Sequence, residues 1–255
     1  MHKPFIIGVG GAHSSVGKTT LSAALIRQFA TGRHSDCFKM LPAQPVIGAI
    51  KYTKTDLYAS LVDDEAIIAE KDKDTSKLSA AGAGKVLWIK SPKSGIEELV
   101  SVALSRLADA DIIVIEGNSA IEFAKPDIVI FIIGTPEEGI KPSAEMLAGE
   151  ADIIITLKPA ADAALPAGTS AKICALDRYP YAFDDNEIFN IITLMDNISS
   201  TKEIKRLLTE RAVDARLTCT AARKIAEELG VPYIEVGRAA NELKIKIKNC
   251  ELGCF

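Results

Sequence analysis

The chain of 255 residues has little that would place it outside ordinary soluble globular proteins. It has no apolar run approaching the ~20 residues that a membrane helix requires; the longest, DIVIFIIG (Asp127 to Gly134), is strand-sized. It has no excess of one charge: 30 basic against 34 acidic residues give −4, no general reason to expect nucleic acid or an anionic membrane as partner. It has only five cysteines, an odd number, which is not a disulfide framework in a chain of this length. The start, MHKPFIIGVGG, lacks the apolar region and cleavage site of a secretory signal. With 48% hydrophobic and 25% charged residues, disordered and collagen-like classes are excluded. The expectation is a cytoplasmic protein with reduced thiols and no membrane partner.

What is present is an alternation. FIIGVGG (Phe5 to Gly11), VIGAIKY (Val46 to Tyr52), KVLWIK (Lys85 to Lys90), DIIVIEG (Asp111 to Gly117), DIVIFIIG and DIIIT (Asp152 to Thr156) are short and β-branched, with ICAL (Ile173 to Leu176) a weaker seventh. Continuous apolar runs, as opposed to apolar/polar alternation, predict strands covered on both faces, as in a parallel sheet. Helical patterns lie between them: Leu21, Ala24, Leu25 and Phe29 mark one helix face, and others run near 95–107 and 143–147. The fold class expected is α/β, a mostly parallel doubly wound sheet.

From Thr201 onward the character changes to helical patterns, Leu217, Ala221, Ile225, Leu229 and then Val236, Ala239, Ala240, Leu243. Eleven basic against eight acidic residues make this segment +3, leaving 19 against 26, or −7, for residues 1–200. A nucleotide-binding domain over 1–200 and a small all-helical domain over 201–255 are expected. The turn at Leu229-Gly230-Val231 between two helices resembles a helix-turn-helix unit, but the modest charge favours a docking or dimerisation element over DNA binding. Cys219, Cys250 and Cys254 in this tail are candidate thiolate ligands for zinc or an iron–sulfur cluster, with buried free thiols as the alternative.

The chemistry is concentrated near the start. AHSSVGKT (Ala12 to Thr19) follows the phosphate-loop spacing [AG]xxxxGK[ST], with Ala12 where glycine is commonest. A strand ends at Gly10-Gly11, the chain wraps an anion through Ser14, Ser15 and Val16, and a helix starts at Gly17-Lys18, so that backbone N–H groups point at phosphate oxygens. Gly17 permits close approach, Lys18 reaches the β- and γ-phosphates, Thr19 can ligate Mg²⁺, and Thr20 is placed for the α-phosphate. His13 lines the loop either as a contact or as a solvent-facing spacer. Mg²⁺ takes oxygen ligands, and Glu116, ending an apolar strand before Gly117, is the candidate direct or water-mediated ligand. Lys18 and Glu116 are accordingly the expected catalytic pair. Asp56 and Asp74 are weaker acidic candidates; the charged stretch Glu70 to Lys77 also reads as a solvated loop.

In order along residues 4–117, the phosphate loop, IGAIKYTKTD, KDKDTSKLSAAGAGKVLWIKS and ADIIVIEG resemble the molybdopterin-guanine dinucleotide biosynthesis protein B (MobB) family. The resemblance implies a GTP-binding P-loop protein of the dimeric NTPase class that includes dethiobiotin synthetase and cobyrinic acid diamide synthase. It implies slow GTP or ATP hydrolysis, a homodimer, and a role in attaching a guanine nucleotide to molybdenum or tungsten pterin. Molybdenum-cofactor enzymes or a nucleotidyltransferase would be the partners. Lys51, Asp74-Thr75 and Glu116-Gly117 are the matching positions outside the loop. The chain departs from the family at Tyr52-Thr53-Lys54, where histidines are usual, and at NSAIEF (Asn118 to Phe123). SSVGKTT is closer to the synthetase and amidoligase branch, and TLKP is not the NKxD signature that reads guanine, so GTP and ATP both stay open. An ATP-dependent synthetase and a nucleotide-gated regulator acting through the tail are the alternatives.

Overall fold

The computed structural model describes residues 3–35, 37–38, 41–135, 139–158, 165, 169–178 and 181–248. These residues divide into two compact units, Met1–Met195 and Asp196–Phe255.

The first unit is built on one sheet. Its strands are β1 (Phe5–Gly11), β2 (Ile47–Lys54), β3 (Ser60–Val62), β4 (Lys85–Ser91), β5 (Ile112–Glu116), β6 (Ile128–Ile132), β7 (Ile153–Leu157) and β8 (Lys172–Leu176). Among the described residues they run in the order β3-β4-β2-β5-β1-β6-β7-β8, every pair parallel except β3 with β4. The fold is therefore the mostly parallel α/β sheet that the apolar runs predict. Strand β3 is an addition: three half-buried residues are too few to carry a periodicity.

Helices cover both faces because each central strand is apolar on both sides. Helices α1 (Lys18–Ala30) and α3 (Asp74–Ala80) lie on one face, reached by way of the single turn α2 (Glu65–Ile68). Helices α4 (Ile96–Arg106), α5 (Asn118–Ala124) and α6 (Pro142–Gly149) lie on the other. On the first face α1 buries Leu21, Leu25, Ile26 and Phe29 completely, each worth about 1.5–3 kcal/mol relative to exposure. On the second, Ile96 and Val100, Ile121, and Leu147 join Ile6, Ile50, Leu87 and Ile115 in one core. Neighbours along a strand point to opposite faces, so Lys51, Trp88 and Glu116, each beside a residue of that second core, face α1 and α3.

Helix α7 (Asp185–Arg211) contributes residues to both units. The second unit continues with β9 (Arg216–Thr218), α8 (Cys219–Leu229), α9 (Tyr233–Glu242) and β10 (Lys246–Lys248). Thr218 caps α8 by accepting from the Ala221 amide, and Gly230 ends it at φ 63°. Ile204, Leu208, Leu217, Ile225, Val236 and Ala240 form its core. The unit is helical but not all-helical: β9 and β10 pair in parallel over three residues each, again below the length at which alternation can be read. No helix among the described residues is long and apolar enough to cross a membrane.

Candidate functional site: a phosphate loop with a buried carboxylate

The loop between β1 and α1 takes its shape from two residues with left-handed backbone, Ser15 (φ 62°) and Gly17 (φ 103°). Such alternation turns successive N–H groups inward to form an anion-binding concavity. Gly17 immediately precedes α1, and no side chain caps that helix, so the first-turn N–H groups are left for a ligand. Val16 is fully buried and anchors the loop, while Ser14, Ser15 and Thr20 are exposed along its rim.

The entrance to the loop is pinned. The Gly11 amide donates to Asn118 Oδ1 at 2.9 Å, and Asn118 Nδ2 donates back to the Gly11 carbonyl at 2.9 Å. The Ala12 amide donates to the Ile132 carbonyl at 2.9 Å. His13 is half-buried; its Nδ1 donates to the Ser14 carbonyl at 2.8 Å, and its own carbonyl accepts from Lys18 Nζ at 2.6 Å. Burial holds Lys18 below the ordinary lysine value, against the opposing pull of the Glu116 carboxylate.

Sheet register brings the acidic partner alongside. Glu116 on β5 lies opposite Val9 on β1 and Lys51 on β2, and is 1% exposed. Its Oε1 accepts from the Thr19 hydroxyl at 2.8 Å and from Lys51 Nζ. Its Oε2 is buried with no hydrogen-bond partner. A buried carboxylate oxygen left without a partner is costly unless a cation or donor meets it. Gly117 follows at φ 127°, where a Cβ would sit 2.9 Å from Tyr52 Cβ; only glycine lets the chain turn into α5 there.

Lys51 joins the acids into a network. Besides Glu116, its ammonium donates to Asp74 Oδ2 at 2.7 Å and lies 3.4 Å from Thr19 Oγ1. Burial pulls the Lys51 ammonium down, but the Glu116 and Asp74 carboxylates outweigh it and hold the group above the usual lysine value. Burial likewise pushes the Asp74 carboxyl up, and Lys51 overrides it to hold the group low. Loop, Lys51, Asp74 and Glu116 line one open cleft of about 620 Å³. Thr19 and Glu116 offer hard oxygen donors of the kind Mg²⁺ takes, and the unpartnered Oε2 gives such an ion a place to bind.

Of the other candidates, Asp56 is not in the cleft; it is exposed and pairs at 4.0 Å with Lys54. Cys219 is a buried thiol at the start of α8. Cys250 and Cys254 lie outside the described residues, and among the described residues no group of three or more His, Cys, Asp or Glu side chains forms a metal cluster. Asn118 went unread in the sequence except as a family departure. An amide directly after a strand-ending Glu-Gly, at the start of a helix, is the signal that could have found it.

Strand, phosphate loop, helix and strand-ending carboxylate together give the α/β fold of a P-loop NTPase. No family model matches the chain, and neither does any curated protein. Among solved structures it is similar to HypB from Helicobacter pylori in complex with nickel, at 12% identity over 79% of this chain and 89% of that one, TM-score 0.46. It is also similar to LpxK from Aquifex aeolicus in complex with ATP, at 14% identity over 91% and 69%, TM-score 0.39. A LAO/AO transport system kinase matches at 14% identity over 95% and 82%, TM-score 0.36. These likenesses are distant and concern architecture alone.

Proposed function

We propose that the protein binds a Mg²⁺–nucleoside triphosphate in this cleft and hydrolyses it slowly, as a GTPase or ATPase. The observation that carries the reading is the convergence of Lys18, Thr19 and the buried, half-satisfied Glu116 at the carboxyl ends of β1 and β5, where open α/β sheets place their ligands. The loop amides and Lys18 hold the β- and γ-phosphates, and Thr20 lies along the rim toward the α-phosphate. Thr19 and Glu116 hold Mg²⁺, which supplies neutralisation of the phosphate charge. Lys51 adds a second cation at the same Glu116 oxygen that the Thr19 hydroxyl engages. Catalysis is then positioning and electrostatic stabilisation of charge developing on the transferred group.

The finer reading is a MobB-like helper, working as a homodimer, in attaching a guanine nucleotide to molybdenum or tungsten pterin. What supports it is the order of IGAIKYTKTD, the Asp74-Thr75 stretch and ADIIVIEG along one chain, together with the meeting of Lys51, Asp74 and Glu116 in one network.

Calorimetric titration of GTP and ATP with Mg²⁺ tests the central claim. Lys18→Ala removes a charge-assisted contact and should weaken binding roughly 10- to 100-fold. Equal affinity in wild type and variant would sink it. A preference for GTP supports the MobB-like reading, and a preference for ATP counts against it.

A further inference from the structure

The net charge of +3 after residue 200 is an average, and the folded second unit separates its signs. Five carboxylates are paired where they stand: Glu203 and Glu210 by Arg206, Glu228 by Arg211, Glu242 by Lys205 and Glu227 by Arg223. Among the described residues of this segment, Arg216, Lys224, Arg238, Lys244, Lys246 and Lys248 have no carboxylate partner. Of its described carboxylates, Asp214 and Glu235 alone are left to oppose those six cations.

Strand geometry gathers three of the six. Leu217 of β9 is buried, and Ile247 of β10 packs against the same core. Neighbours along a strand point to opposite faces, so Arg216, Thr218, Lys246 and Lys248 share the outward face, where all four are exposed. The parallel register sets Lys246 beside Arg216 and Lys248 beside Thr218. Like charges directly opposite one another destabilise a strand pair, a repulsion that a polyanion laid along the face relieves. Lys244, at φ 57° just after α9, holds a position that glycine commonly fills and brings a fourth exposed cation to the start of β10. Asp214 precedes β9 in the turn, outside the strand pair.

Helix α9 leads into this ribbon and packs against β10. Its Ile234, Arg238 and Asn241, spaced i, i+4, i+7, form an exposed stripe opposite buried Val236, Ala239 and Ala240. Glu235 lies on the flank of that stripe with Glu242, which Lys205 holds at 2.6 Å. Arg and Asn are the side chains that pair bidentately with guanine and adenine edges in a major groove. The outward face of the ribbon has no apolar side chain to enter lipid, which favours a nucleic acid over a membrane. The major groove of B-DNA admits a helix, whereas that of A-form RNA is too narrow.

We propose that the second unit binds double-stranded DNA, with Arg216, Lys244, Lys246 and Lys248 along the phosphate backbone and α9 presenting Arg238 and Asn241 to base edges. Two helices joined by a short turn through Gly230 are the arrangement that seats a helix in that groove. All these residues belong to the second unit, so this proposal and the nucleotide reading stand or fall separately.

The test is a fluorescence-anisotropy titration of a labelled DNA duplex of about 20 mixed-sequence base pairs, two helical turns. It uses the full-length protein and its Lys246→Gln, Lys248→Gln variant, with circular dichroism confirming the fold of both. Wild type should bind saturably at about 50 mM salt, and four phosphate contacts should make log affinity fall against log salt with a slope of about −3.6. The double variant should bind at least about tenfold more weakly, with a slope shallower by about 1.8. Lys85→Gln, Lys172→Gln removes two exposed cations of the first unit and should change neither quantity. Absence of duplex binding at that salt overturns the proposal, as does an unchanged slope in the ribbon variant or an equal loss in the first-unit variant. Duplex RNA of the same length, phosphatidylserine vesicles and polyglutamate are titrated in parallel, and tighter binding to any of them than to DNA also overturns it.

Discussion

Lys51→Met is the most informative single change. The Lys51 side chain is 12% exposed and that of Glu116 2% exposed, so removing the ammonium leaves Glu116 buried with the Thr19 hydroxyl as its remaining donor. Asp74 keeps Lys77 at 3.4 Å on the surface side. Methionine retains the apolar stem, so little packing is lost. Stranding one member of a buried pair typically destabilises by about 3–5 kcal/mol. For a unit of this size each kcal/mol moves Tm by about 2–4 °C, giving a fall of about 6–20 °C. Mg²⁺ should return part of that loss, because a divalent ion can sit on the freed carboxylate; wild type should gain less from the same ion, since Lys51 already occupies Oε1. The double variant Lys51→Met, Glu116→Gln should recover most of the single variant's loss, a coupling that a double-mutant cycle reads directly. Thermal unfolding followed by circular dichroism, with and without Mg²⁺, makes the measurement. A fall worth less than about 1 kcal/mol, the range of an exposed pair, would refute the reasoning, as would additive losses in the double variant.

Gly17→Ala forces a side chain onto a φ of 103°, at about 1–3 kcal/mol of strain; triphosphate affinity should drop with helical content intact, and an unchanged affinity in calorimetry would contradict the loop geometry. Asp74 titrates below the ordinary carboxyl value of 3.8 when folded, so its stabilisation is complete above that value and disappears as pH falls through the lowered one. Asp74→Asn should therefore flatten the acid limb of a urea-stability profile, and an unaltered limb would show the pairing with Lys51 to be idle. Lys18 titrates below the ordinary lysine value of 10.5; nucleotide affinity should decline as pH rises through that lowered value, and a pH-independent affinity across the alkaline range would count against its charge being used.

The parts of the molecule legible in sequence were those whose meaning is local. FIIGVGG, the loop spacing and the Leu21–Phe29 stripe are contiguous, so strand, turn and helix follow from about thirty residues read in order. Glu116 was legible because an acid ending a fully apolar strand conflicts with its surroundings. Pairing was not legible. Lys51 stands 23 residues from Asp74 and 65 from Glu116, and only the placement of β5 beside β2 makes them partners. Trp88 and Lys90 looked like an ordinary half-buried strand, because the sharing of a face with Lys51 and Thr53 depends on register. The 27-residue helix α7 escaped because polar residues recur throughout DNEIFNIITLMDNISSTKEIKRLLTER, leaving no continuous apolar stripe to follow.

The clasp between Asn118 and Gly11 has a consequence for how the loop meets a ligand. With the Gly11 amide given to Asn118 and the Ala12 amide to Ile132, the first two N–H groups of the segment are already spent on the scaffold. On the proposed nucleotide reading, recognition would fall to the N–H groups from His13 onward, toward the first turn of α1. The same side chain that closes the strand end stands two residues from Glu116, so the loop entrance and the acidic group are tied to one short segment of backbone. On the proposed nucleotide reading, an amide that touches neither group would help set the distance between a phosphate and the cation beside it.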